Sequence, residues 1–573
     1  KPMVFSLNSV INDENTSPTS SMMGSSETET NRIRKEANHF KEETDDATQI
    51  QGMKADGDGL KVLFLSSDTG GGHRASAESL AKQFQLQYPG TTYELLDIIS
   101  DFAPRPYNTL VPAYKHLSAH PKQWQVVYDV SNTRVSEIIL DAHLKLWSER
   151  AVRKRIMSYD PDVVVSVHPM MTNVPVVSCE KISQETGRHL PMFTVVTDLG
   201  SGHCTWFANG VEKMFIASDQ IRELAKSRGK VHDDKLVQIG LPIRHDFGVQ
   251  AEKLGDRMSP AGKEYQAQIR RELGLNDDIE TKNVLVMGGG EGVGSLASIV
   301  DKLYVEFVEK GINASIVVVC GRNEQLRHDL DTRDWNQVMS EKTVSGHEGC
   351  WTNTRNVSDM ISSGSGCLSY GVSTQLRRII SSPVSMNNAI DLAGSVPLHE
   401  RDEELKSEED HEGVRKELIN ATDNEDSTSC DLYSQEEVTS ADLGKVEVVG
   451  LGFVTKMAEY MVAADVLVSK AGPGTIAEAA SVGLPVMLTS FLPGQEEGNV
   501  DFVVQGNFGS FCADTDPEMI AEEVSQWLTD EDRLKSLSQA AASIGAPNAA
   551  ADIVKIIGDS TVHWRDINNG LSS

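Results

Sequence analysis

The sequence predicts an α/β fold built from two doubly wound, mostly parallel sheets. Three observations carry that prediction. Short apolar runs alternate with longer stretches of helical period. The first apolar run of each half ends in a glycine-rich turn. The pattern stops after residue 248 and restarts near residue 283 with the same texture.

Taken in order, Val62–Leu65 is the first strand-like run, followed by the turn "SSDTGGGHR" and a helical pattern over about Ala75–Gln87. Tyr93–Ile98, Val163–Val167 and Phe193–Val196 come next, each separated by helical stretches; Lys213–Ile216 and Leu236–Ile239 follow at closer spacing. The unit closes at "GLPIRHDF", residues 240–247. Domain boundaries are therefore expected at 61–248 for the first unit and at 283–335 plus 445–573 for the second, with 249–282 as a polar linker. The second unit opens with Val284–Met287 and "GGGEGVGS", continues through Ser315–Cys320 and "GRNEQL", and resumes at Val446. Between its two parts, residues 336–444 are expected to be a largely disordered acidic insertion. Over 395–447 there are 17 acids against 5 Lys or Arg, a net of −12. Residues 1–60 are rich in Ser, Thr, Asn and acids and are also expected to be disordered. The chain begins at Lys1, so the N-terminus is expected to be incomplete or processed.

Composition excludes several classes. The 573 residues carry a net charge of −31, which argues against nucleic acid as a partner and confines any membrane contact to a local patch. No apolar run approaches the ~20 residues of a membrane-spanning helix. The 7 cysteines are scattered without a CxxC pair and read as reduced thiols. One stretch departs from the acidic background. Residues 105–155 hold nine Lys or Arg against four acids, interleaved with aromatic and aliphatic residues. That make-up suits an interfacial amphipathic surface; an ordinary charged helix face is the plainer alternative.

Glycines after a strand let backbone N–H groups approach an anion at a helix N-terminus. Three such turns occur: Gly70–Gly72, Gly288–Gly294 and Gly472–Gly474. None continues into Gly-Lys-Ser/Thr, so none is a P-loop, and the second lacks a clean GxGxxG, which disfavours a nicotinamide dinucleotide. In "SKAGPGTIAEA", Gly474 and Thr475 can offer N–H groups to a phosphate. Glu478, one turn on, can accept both hydroxyls of a ribose. The polar loop "FLPGQEEGN" places Gln495, Glu496, Glu497 and Asn499 at a strand end, where they suit a polyhydroxylated ligand; helix capping is the alternative. His73, beside the first turn, is a candidate general base, with a capping or surface histidine as the alternative.

Taken together, "SSDTGGGHRASAESL", "VVTDLGSGHCTWFANGVEKMF", "GLPIRHDF", "VMGGGEGVGS", "VVCGRN", "GFVTKM", "SKAGPGTIAEA" and "GLPVMLTSFLPGQEEGNV" resemble the monogalactosyldiacylglycerol synthases. These plastid galactolipid glycosyltransferases are related to the lipid-linked N-acetylglucosaminyltransferase of peptidoglycan synthesis. The resemblance runs from about Lys61 to about Val503, omitting the insertion. It implies the GT-B arrangement of two facing Rossmann-like domains. It also implies galactose transfer from UDP-galactose to 1,2-diacylglycerol at a plastid envelope membrane, bound peripherally.

By that resemblance His73 is the base and Glu496 the galactose-contacting acid. Gly72, Arg244, Gly288, Gly289, Gly290, Arg322, Phe453, Val454, Gly472, Gly474, Thr475, Ile476 and Glu478 hold the nucleotide, with Gln495, Glu497 and Asn499 beside the sugar. Pro106 and Trp206 are implied at the acceptor and membrane side, with an acidic lipid such as phosphatidylglycerol. Family members often read His-Pro-Thr-Trp where this chain reads His203-Cys204-Thr205-Trp206, which puts the rigidity of that loop in question.

Family members form a β-galactoside from an α-linked donor, an inversion that needs one displacement. His73 takes the acceptor proton while the Gly474–Thr475 helix end and Arg244 stabilise the leaving UDP. No metal and no tightly bound cofactor is expected. The triplets Asp329-Leu330-Asp331 and Asp56-Gly57-Asp58 are discounted, one opening a variable region and the other lying in the tail. Three other readings stand beside this one: a transferase using UDP-N-acetylglucosamine and a different lipid, a non-catalytic UDP or lipid sensor, and a sugar-nucleotide epimerase of the same fold.

Overall fold

The computed structural model describes residues 57, 59–67, 71–98, 100, 107–288, 296–340 and 443–571. Pro106, Gly289, Gly290, most of the N-terminal 60 residues and residues 341–442 of the expected insertion lie outside them. The first five residues of that insertion, 336–340, are helical.

Among the described residues there are two six-stranded sheets, every pairing parallel. The first contains β1 (Lys61–Leu65), β2 (Thr92–Leu96), β3 (Val163–Ser166), β4 (Met192–Val195), β5 (Met214–Ile216) and β6 (Leu236–Gln238). Its spatial order is β2-β1-β3-β4-β5-β6. The second contains β7 (Lys282–Met287), β8 (Ala314–Val319), β9 (Val446–Leu451), β10 (Val466–Ser469), β11 (Val486–Leu488) and β12 (Gly509–Phe511), in the order β12-β11-β10-β7-β8-β9. Runs such as Val163–Val165 and Val284–Val286 are apolar without alternation because both faces of each sheet are covered.

Each order reverses direction once. In the first sheet the chain leaves β1 for β2 on one side and returns to β3 on the other. In the second it leaves β9 at one edge and returns to β10 beside β7. Ligands of open α/β sheets bind outside the strand C-termini at such reversals. The turns after β1 and β3, and those after β7 and β10, are therefore where a site belongs.

The first helix, α1 (Gly72–Gln87), begins three residues before the expected Ala75, with Gly71 at its N-cap. Among the described residues, the helices α2 (Leu110–Ser118), α3 (Pro121–Ser131) and α4 (Arg134–Tyr159) lie between β2 and β3. The stretch expected as a linker is instead ordered structure. The helix α5 (His245–Leu254) and the helix α6 (Pro260–Glu272) pack on the second sheet's core through Phe247, Leu254 and Ile269. Its polar look has a physical cause. Arg257 and Arg270 are buried and donate to the carbonyls of Met461, Val462 and Ala463, satisfying a helix C-terminus.

The domain division expected at the other end also changes. The helices α7 (Pro473–Ser481) and α8 (Glu497–Gln505) belong to the second sheet. The last helix, α9 (Ala549–Asn568), crosses back. Its Ala550, Ile553, Val554 and Ile557 join Leu60, Val62, Phe64 and Phe84 in one core of the first sheet.

Candidate active site

His73 is the second residue of α1, at the reversal of the first sheet. Its ring is nearly sealed from solvent, 9% exposed. Nδ1 lies 2.8 Å from Thr197 Oγ1, after β4, and the ring meets His168, after β3, edge to face at 4.7 Å. Burial pulls the His73 pKa down to about 4, a hydrogen bond to the Val167 carbonyl opposing it. His168 is pushed well below its usual range by burial, then by His73 and His203. Both imidazoles are therefore neutral near pH 7. When Nδ1–H donates to Thr197, Nε2 is the acceptor atom of the ring.

Trp206 fills the space beside them, its ring 6.0 Å from His73. It is fully buried, and its indole N–H donates to Asp198 Oδ2 at 2.6 Å. This corrects the expectation that Trp206 reaches the membrane: the turn that carries it, residues 204–206, is folded inward. Asp198 is itself buried, and its carboxyl is raised to about 7, chiefly by burial, with Glu496 adding and the Trp206 bond opposing. The missing proline has a local explanation. The amide of Cys204, which proline would lack, donates to Asn132 Oδ1 at 2.9 Å at the α3–α4 corner.

The second reversal holds charges. Arg244, leading into α5, makes a two-pronged bond to Glu478 on α7: Nε to Oε1 and Nη2 to Oε2, both at 2.7 Å. Glu478 is buried; desolvation raises its pKa and Arg244 holds it back. Glu496 is buried too, paired with Lys470 Nζ at 2.7 Å and accepting the Leu492 amide at 2.9 Å. Gly472 is the N-cap of α7 and Ile476 is buried behind it. Gly474 is exposed and Thr475 half-buried at the mouth. Gly288 is half-buried at the end of β7, Arg322 is exposed after β8, and Phe453 stands 77% exposed after β9 beside half-buried Val454. Gly72 is exposed at the opposite turn, and Glu497 is half-buried at the start of α8.

The two halves meet at two glycines. A Cβ on Gly200 would fall 1.7 Å from the carbonyl oxygen of Gly498, so only glycine allows this backbone crossing. Asn499 locks it. Its amide oxygen accepts from Leu199 and Gly200 at 3.3 and 3.2 Å, and its nitrogen donates to the Ala471 carbonyl at 3.0 Å. Asn499 is wholly buried and acts as a strut between loops rather than a sugar ligand. The Gln495 carbonyl accepts from Ser201 Oγ.

Asp198, Thr197, His168 and Lys470 were not singled out from sequence. Each lies just past a strand C-terminus, and that position was the available signal.

The family model "Monogalactosyldiacylglycerol (MGDG) synthase" matches residues 73–243, beginning at His73 itself. That of the "Glycosyltransferase family 28 C-terminal domain" matches 389–555. The synthase model thus lies on the first sheet's domain, and the similar curated proteins that carry the same name span most of the chain. Among similar curated proteins, the probable chloroplastic synthase of Glycine max is 29% identical, covering 86% of this chain and 70% of its own. Synthase 1 of Arabidopsis thaliana is 27% identical over 88% and 72%, and synthase 3 is 27% identical over 92% and 86%. Among solved structures, Acinetobacter baumannii MurG matches at 12% identity and a TM-score of 0.44, covering 87% of this chain and 99% of its own.

Proposed function

We propose that the chain transfers galactose from UDP-galactose to 1,2-diacylglycerol, inverting the anomeric carbon and releasing UDP. The observation that carries this reading is the pairing of a neutral, enclosed imidazole at one sheet reversal with a charged, helix-capped cradle at the other. The acceptor hydroxyl presents to His73, which accepts its proton as the oxygen attacks the anomeric carbon on the face opposite UDP. Charge accumulates on the departing diphosphate. The N–H groups of Gly474 and Thr475 in the first turn of α7, the positive end of that helix and the Arg244 guanidinium are placed to hold it. Glu478 retains lone pairs for the ribose hydroxyls while paired with Arg244. Phe453, a large apolar ring in water, gives the uracil a stacking face. Glu496, fixed by Lys470 and the Leu492 amide, points acidic acceptors at the galactose hydroxyls.

The acceptor lives in a membrane, and the basic region supplies a face for it. Val126, Val130, Ile138, Ile139, Leu146 and Trp147 of α3 and α4 are all more than half exposed. Set among Lys122, Lys145 and Arg150, they suit a surface containing acidic lipid such as phosphatidylglycerol. Among the described residues no helix is long and apolar enough to cross a bilayer, so the proposed attachment is peripheral, at the plastid envelope.

The test is galactose transfer in vesicles of phosphatidylglycerol and diacylglycerol, with wild type beside His73→Ala. Transfer that collapses in the variant while UDP still binds supports the reading. Well-folded wild type that binds UDP and transfers nothing moves it to another acceptor or to a sensor.

A further inference from the structure

The helix α3 is apolar on two sides, and its sides have different neighbours. Val126 and Val130 face water, with the less exposed Val127 at the margin between the two sides. Trp124, Tyr128 and Ser131, at helical spacing on the other side, face the site. The Tyr128 ring lies directly on Gly494 of the galactose loop: a Cβ added at Gly494 would sit 2.5 Å from Tyr128 Cδ1. Gly494 also has a φ of +75°, so glycine is required there twice over. The same ring meets His203 at 5.4 Å, edge to face. Ser131 Oγ lies 3.3 Å from His203 Nε2, and the Cys204 amide is held by Asn132. One helix thus touches the loop that carries Glu496 and the turn that carries Trp206, while its outer face is the one assigned to lipid. Behind it, Trp124 packs between Tyr128 and Tyr114.

We propose that Tyr128 is a positioning residue that sets the Gly494–Glu496 loop against the His73 side, so that seating α3 on lipid and forming the galactose subsite are one event. This rests on the galactosyltransferase reading above. The ring makes the contacts described here. Removing it leaves a gap over Gly494 that lets the loop sample other positions, and a site misplaced by about 1 Å loses as much as 10²-fold in rate.

The experiment uses the full chain and vesicles of phosphatidylglycerol, phosphatidylcholine and diacylglycerol. KM for UDP-galactose is measured as vesicle concentration rises at fixed diacylglycerol fraction, and vesicle binding is followed by flotation. In the wild type, KM for the donor is expected to fall as lipid is added. Tyr128→Ala is expected to float normally, to show a donor KM raised roughly tenfold, and to lose its dependence on lipid. Tyr128→Phe keeps the ring and is expected to behave as wild type. Tyr128→Leu fills most of the gap, protects folding, and is expected to shift the donor KM in the same direction by less. A donor KM in Tyr128→Ala and Tyr128→Leu that still tracks lipid as in the wild type overturns the inference alone. So does a loss of flotation that accounts for the whole kinetic change. Absence of galactose transfer by the wild type overturns the functional reading, and this inference with it.

Discussion

The two sheet reversals are built on the same plan and filled with opposite chemistry. At the first, His73 and His168 are buried and neutral beside a tryptophan, whose buried partner Asp198 has its carboxyl raised to about 7. At the second, Arg244–Glu478 and Lys470–Glu496 bring four formal charges to the strand ends. A neutral pocket suits a reactant that brings a hydroxyl attached to hydrocarbon. A charged one suits a nucleotide carrying two phosphates. The difference teaches that the shared fold supplies only the location, while burial at each location decides which proton and charge states are available.

The comparison breaks most sharply at His73. His73→Ala is expected to lower kcat by about 10²–10⁴-fold, the range for loss of a general base, with little change in UDP affinity by calorimetry. An equal loss of UDP affinity would mean that the first pocket is also part of the donor site. Next is the crossing that joins the two. Gly200→Ala forces a methyl into the Gly498 carbonyl. It is expected to reduce both donor binding and transfer while each domain's secondary structure survives by circular dichroism.

The charged side is tested by Arg244→Ala, which leaves Glu478 buried without its partner. Arg244 is 42% exposed by side chain, so the stability loss is expected to be about 1–2 kcal/mol rather than that of a fully buried pair. Glu478→Gln in the same chain is expected to recover that stability, measured by urea unfolding, without recovering UDP binding.

The pH dependence separates the pockets further. His73 and His203 are both held near 4, each chiefly by burial, against an ordinary 6.5. Their contribution to stability is complete above pH 6.5 and is lost as pH falls toward 4. Asp198 runs the other way. Raised to about 7 from 3.8, it contributes fully below 3.8 and loses that contribution as pH rises through 7. Asp198→Asn is therefore expected to gain on the wild type as pH rises from 4 to 8. A constant offset would show that Asp198 is ionised in the folded chain throughout. The smallest effect is expected from Cys204→Pro, which removes the amide bond to Asn132 at a cost of about 1 kcal/mol.

Much of this was legible before the fold was seen. Val62–Leu65, Val163–Val167 and Ser315–Cys320 declare themselves as strands because sheets covered on both faces leave unbroken apolar runs. The Gly472–Glu478 turn is readable because proline at the first helical position and glycine before it mark a helix start. Strand order is not written in any local pattern, so the sequence cannot say that His168 and Asp198 arrive beside His73. Nor does composition separate a linker from α5 and α6, whose buried arginines look like surface charge until the carbonyls they serve are placed. Trp206 misleads for a different reason: the family resemblance assigns it to the membrane side, and only its bond to buried Asp198 shows that it turns inward.

The return of α9 makes the second sheet a guest inserted into the first. The core around Phe64 and Phe84 stays open on one side until residues 550–557 arrive. Burial of Ile553, Val554 and Ile557 contributes about 1.5–3 kcal/mol each. Their sum is comparable with the whole stability of a domain, about 5–15 kcal/mol. On the ribosome, the half that is synthesised first is therefore the half that finishes last. A chain stopped before Ala549 carries every strand of both sheets and both reversals, yet leaves the His73 side without the wall that keeps it folded.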